Sequence, residues 1–177
     1  MLLNGGHVVS SFLLRDLNIN YCRGCFGCWL KTPGECVIAD ESRTITKTYI
    51  NSDLVIFASP MILGFTSSIL KKAIDRLIPL VHPYFELDHS EVHHRARYDR
   101  YSKLGILLEK SSTTDEKDIE SMNEIYTRNA LNLKTSISFS LNTKEPIERI
   151  ALCIRYQLHL TRDNSHISFF YIKTSLP

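Results

Sequence analysis

The sequence predicts an α/β protein: an open, largely parallel sheet with helices on both faces. Residues 54–58 (LVIFA) are an uninterrupted apolar run, the pattern of a strand buried on both sides. Strand-like runs also alternate along the chain with segments of helical period. The 177 residues, 44% hydrophobic and 23% charged, suit one ordinary globular domain and leave no compositional case for disorder, collagen or a coiled coil.

In chain order, residues 7–14 (HVVSSFLL) read as a short strand. A cysteine-rich loop follows. Asp40 or Ser42 caps a short helix to about Ile50, although Thr44, Thr46 and Thr48 oppose it with β-branched side chains. The run 54–58 is the central strand. After a loop over residues 59–65, Thr66 or Ser67 caps a helix that places Ile69, Leu70, Ala73, Ile74, Leu77 and Ile78 on one face until Pro79. Residues 79–102 lack sustained periodicity and are rich in His, Arg and Tyr, so they read as a long insertion before a strand over 104–108. A second strong helix covers about 115–133, with acidic residues in its first turn, where the helix dipole favours them. Ile137, Phe139 and Leu141 alternate with serines, as on an edge strand. Pro146 opens a last helix, and residues 167–172 (ISFFYI) form one more apolar, strand-like run before KTSLP. The whole chain is thus expected to be one domain, with 79–102 as an insertion and 142–177 as a helix plus a strand-like tail.

No apolar run approaches the roughly 20 residues of a membrane span, and the N-terminus lacks the features of a secretory signal. A cytoplasmic location with no membrane partner is expected. Basic and acidic residues, 21 and 19, are mixed along the chain, so nucleic acid is not an expected partner either.

Cysteine makes the sequence specific. Four of the five cysteines, Cys22, Cys25, Cys28 and Cys36, share one loop in the spacing C-x2-C-x2-C-x7-C. Three thiolates two residues apart can face one centre and a fourth can close it around an iron–sulfur cluster. Zinc takes the same four ligands, and four metal-free thiols are the bland alternative, since disulfides are not expected in a reducing compartment. The second feature is Ser59, Pro60, Met61, Ile62, Leu63, Gly64, Phe65 and Thr66, leaving the carboxyl end of the central strand and opening a helix. In an open α/β sheet that is the ligand crevice, and backbone N–H groups beside an apolar wall suit a flat aromatic cofactor. A plain tight connection is the alternative.

Taken together, the phrases LRDLNINYCRGCFGCWLKTPGECVIADE and DLVIFASPMILGFTSSILKKAIDRLIPL resemble the NAD(P)H-dependent FMN reductases and iron–sulfur flavoproteins of the flavodoxin-like superfamily. The resemblance runs from about Gly5 to Leu141. It implies a flavodoxin-like sheet, FMN at the strand ends against residues 59–66, a four-iron (4Fe–4S) cluster on Cys22, Cys25, Cys28 and Cys36, and a nicotinamide nucleotide or small electron carrier as redox partner. A homo-oligomer is expected as well. The family opens with a strand and a phosphate-cradling loop, and by this resemblance both are expected to be missing before MLLNGG. In the strand order 2-1-3-4-5 the absent strand is the innermost. Either the run 167–172 takes its slot, or the strands at 7–14 and 54–58 pair directly.

His82, His89, His93 and His94 in the insertion invite a metal reading, and His93 and His94 beside Arg95 and Arg97 invite a phosphate; a solvated cover or subunit contact is the plain reading. Trp29 either shields a cofactor or fills the core, and Cys153 reads as a small core residue. The expected function is a flavoprotein oxidoreductase in which FMN takes a hydride from NAD(P)H. The rival is a non-catalytic member acting in assembly, with structural zinc or an empty cysteine site.

Overall fold

The computed structural model describes residues 7–88, 90–159 and 165–172. Its main sheet contains β1 (Val8–Leu13), β2 (Leu54–Ile62), β6 (Lys103–Glu109), β7 (Ile137–Asn142) and β8 (His166–Tyr171). The order across it is β1-β8-β2-β6-β7, and all four pairings are parallel. This is the flavodoxin-like arrangement.

The C-terminal run therefore takes the central slot, and β1 does not pair directly with β2. Val9 stands opposite Ile167 on one side of β8, and Leu54 opposite the same residue on the other. The reason is chemical. Side chains of β8 alternate between two packed faces, with Ile167 in one core and Phe170 in the other, both almost wholly buried. Phe170 stacks on Phe12 of β1 and tilts against Phe57 of β2. Between them Ser168 would be an unpaired hydroxyl at zero exposure, but it shares a 2.7 Å hydrogen bond with Ser52. Asp53 fixes the register where the strand begins: its backbone N–H donates to the His166 carbonyl and its carboxylate accepts from the His166 N–H, each at 2.8 Å.

Helices cover both faces. The larger core takes Ile45 and Tyr49 of α2 (Ser42–Asn51), Leu70, Ala73 and Ile74 of α3 (Ser68–Asp75), and Met122, Tyr126 and Ala130 of α4 (Glu116–Asn132). On the opposite face Ile150, Ile154 and Leu158 of α5 (Ile147–His159) pack over Leu54, Ile56 and Ile167. Ser67, rather than Thr66, caps α3, accepting from the Leu70 N–H, and Asp115 and Asp118 form a reciprocal capping box on α4. Cys153 is half-buried on α5 rather than in the core. MLLNGG, His89 and KTSLP fall outside the described residues.

Two expectations change. Residues 79–102 are not a structureless insertion: β4 (Val81–Asp88) and β5 (Glu91–Ala96) pair as an antiparallel hairpin. Its apolar and polar residues do not alternate because Tyr84, Phe85, Leu87 and Val92 are all exposed, so the sequence lacks the half-buried signature. Residues 59–66 are also partly regular. Strand β2 continues to Ile62, turns through Leu63 and Gly64, and pairs antiparallel with β3 (Phe65–Thr66).

Candidate functional site

The cysteine loop leaves the carboxyl end of β1 through a 3-10 turn at Leu14–Asp16 and returns to α2. Within it lies the single-turn helix α1 (Gly27–Leu30). The loop folds on itself at Gly27, where a Cβ would sit 2.6 Å from Val37, so the two limbs approach closely only because no side chain is there. Trp29 then fastens the loop to the hairpin. Its indole N–H donates to the Val81 carbonyl at 3.0 Å, and its ring stacks on Phe26 and tilts against His94.

All four clustered cysteines line one cavity of about 580 Å³. Cys22 and Cys25 are exposed, Cys36 is partly covered and Cys28 is buried. The remaining walls are the end of α3 with Leu77 and Pro79, the hairpin residues Phe85, Val92 and His94, and the end of α4 with Asn129 and Leu133. Burial pushes the Cys28 thiol up, and the neighbouring Cys36, Cys22 and Cys25 push it further, so the four sulfurs share one electrostatic site. A bound cation would offset that repulsion. The Ile38 N–H donates to Cys36 Sγ at 3.4 Å. Among the described residues no three His, Cys, Asp or Glu side chains converge tightly enough to hold a single metal ion.

The neck of the loop is closed by two buried charged side chains, Asp40 and Arg76, 3.1 Å apart. Asp40 accepts from the Ser42 N–H and hydroxyl and from both the backbone and side chain of Asn20. Burial alone would raise the Asp40 carboxyl, but these hydrogen bonds outweigh it and hold it below the ordinary value of 3.8. A depressed folded pKa contributes stability that is complete above the unfolded value and is lost as pH falls through the folded one. The loop's anchorage is therefore expected to weaken only below about pH 4. Urea midpoints measured from pH 5 to 2 should fall for the native chain. Asp40→Asn, less stable at neutral pH, should show a flatter dependence; parallel curves would contradict the assignment.

The second predicted site lies elsewhere. None of Ser59, Pro60, Met61, Ile62, Leu63, Gly64, Phe65 or Thr66 lines the cysteine cavity. These residues form the hairpin at the carboxyl end of β2. Ser59 accepts from the Ser67 N–H at 3.0 Å, which ties the hairpin to the start of α3. Ile62 and Leu63 at its tip are exposed, Leu63 completely. Gly64 has φ of +73°, and a Cβ there would stand 2.6 Å from a carboxylate oxygen of Asp118 in the α4 capping box. Helix α3 joins the two sites: it starts at the hairpin, and after eight residues, about 12 Å, its end walls the cysteine cavity.

His93 and His94 are both held by neighbouring side chains. His93 is buried between Asn132, 3.1 Å from Nδ1, and Glu91, 3.2 Å from Nε2, whereas His94 packs between Trp29 and Phe85. Adjacent strand residues point to opposite faces, so the two cannot share a ligand. Arg97 is also committed internally, donating to the carbonyls of Pro79 and Val81. Sequence reasoning missed Arg76, which is 1% exposed and is among the largest fully buried side chains of the described residues. A charge between Ile74 and Leu77 on an apolar helix face was its signal.

No family model matches the chain. Over 81 residues it is 37% identical to a protein named iron-sulfur flavoprotein from Archaeoglobus fulgidus, a match covering 46% of this chain and 36% of that protein. Over 67 residues it is 39% identical to another iron-sulfur flavoprotein, from Methanocaldococcus jannaschii, covering 38% of this chain and 34% of that one. The chain thus spans about a third of the length of the curated relatives it matches. The resemblance to the iron–sulfur flavoproteins stands.

Proposed function

We propose that this relative of the iron-sulfur flavoproteins is itself a flavin-dependent electron-transfer protein, an NAD(P)H-dependent FMN reductase-like oxidoreductase. The reading assigns FMN to the carboxyl ends of the strands and a four-iron cluster to Cys22, Cys25, Cys28 and Cys36. Its carrying observation is that four cysteines of one loop line one cavity.

When bound, flavin accepts a hydride as an electron pair and a cluster carries electrons singly. The chain's own groups supply position. Ile62 and Leu63 offer a bare apolar surface for a flat ring, and Ser59 and Gly64 fix the hairpin against α3 and α4. Strand β8 ends beside β2, with the Ile172 N–H donating to the Ala58 carbonyl, so the strand that fills the innermost slot of the 2-1-3-4-5 order ends next to the hairpin.

Titration of the chain with FMN, followed by flavin fluorescence, tests the reading. Saturable binding is expected. Gly64→Val should weaken it roughly tenfold, because a strained φ and the clash with Asp118 cost about 1–3 kcal/mol in hairpin geometry. Leu152→Ser, on the exposed face of α5, should not change it. No flavin binding, or equal losses in two folded variants, overturns the flavin assignment.

A further inference from the structure

We propose that Arg76 is the positioning residue of the cysteine centre: it closes the neck of the loop and keeps one N–H for the group that the thiolates hold. The inference rests on the metal-centre reading above.

Arg76 follows the last turn of α3 and is fully buried. Its Nη1 donates to the Asn20 carbonyl at 3.0 Å, just before Cys22. Its Nη2 meets the Ile38 carbonyl at 3.4 Å, just after Cys36, as well as Asp40 at 3.1 Å and the Ser42 hydroxyl at 2.7 Å. One rigid guanidinium therefore bridges both ends of the cysteine segment, and the same chain position anchors it to the helix that walls the cavity. Lysine has neither the fork nor the reach to do both. The Nε–H is different: it is buried and has no hydrogen-bond partner among the described residues. Leaving a buried donor unpaired is costly, and Arg76 is itself a wall of the cavity that holds the four cysteines. Hydrogen bonds to cluster sulfurs set both retention and potential. An unspent donor on a buried arginine in that wall is what a sulfur-rich centre would use.

Arg76→Lys keeps the buried charge opposite Asp40, and Arg76→Met with Asp40→Asn removes the pair together, so that no lone charge is left buried. Both variants, the native chain and Cys153→Ser are loaded with iron and sulfide without air, then challenged with an iron chelator. Retained iron per chain and the midpoint potential are read alongside far-ultraviolet circular dichroism. The two Arg76 variants should hold iron roughly tenfold less tightly, with a lower potential in the iron that remains, while the fold and Cys153→Ser are unchanged. Native-like retention and potential in either folded variant overturns the inference. Failure of the native chain to hold iron overturns the metal-centre reading and this inference with it.

Discussion

Removing residues 166–177 is expected to unfold the chain rather than shorten it, because the deletion takes out the innermost strand of the sheet. Without β8, strands β1 and β2 would each bury a row of unpaired N–H and C=O groups at about 1–3 kcal/mol apiece. That quickly exceeds the 5–15 kcal/mol by which a typical domain is stable. Milder changes should scale accordingly. Phe170→Ala empties a site packed by Phe12 and Phe57 and should cost about 3–5 kcal/mol in chemical denaturation. Backbone amides of Phe169, Phe170 and Tyr171 should exchange with deuterium among the slowest in the protein, since they lie between two parallel neighbours. A deletion variant that stays folded, or fast exchange at these amides, would show that the slot is filled otherwise.

The parts of this fold that were legible in the sequence are those in which local pattern and tertiary environment agree. Strand β2 is apolar from Leu54 to Ala58 because Leu54 to Phe57 are buried on both faces, and α3 and α4 carry caps and one-sided stripes. The place of β8 was legible only as one of two options. Apolar character marks a strand as buried but does not say between which neighbours, and that is decided here by Phe170, Ser168 and Asp53 meeting partners more than a hundred positions away. The β4–β5 hairpin was hidden because its exposed aromatics break the alternation. In the site, the four cysteines could be read directly from their spacing. Arg76 and Asp40 could not, since their role exists only once the two ends of the cysteine loop are brought to the end of α3.

Each of Cys22→Ser, Cys25→Ser, Cys28→Ser and Cys36→Ser is expected to lower the metal content of the isolated protein sharply, because removal of one soft thiolate from a four-ligand site opens it to water and exchange. Cys28→Ser should have the largest effect, since its thiol is the buried member of the set. Cys153→Ser, on α5, should have none. Circular dichroism should show all five variants folded, because the core is built from the sheet and helices and the loop is held at its neck. Equal metal content in all five would mean that the clustered cysteines do not act as a unit.

Elemental analysis of the native chain, purified without air and read together with its absorption spectrum, tests the central claim most directly. The account predicts about four irons per chain with matching sulfide, and a yellow flavin that is released on denaturation. Zinc alone, or neither metal in stoichiometric amount, would contradict it and leave the cysteine loop as a structural or empty site.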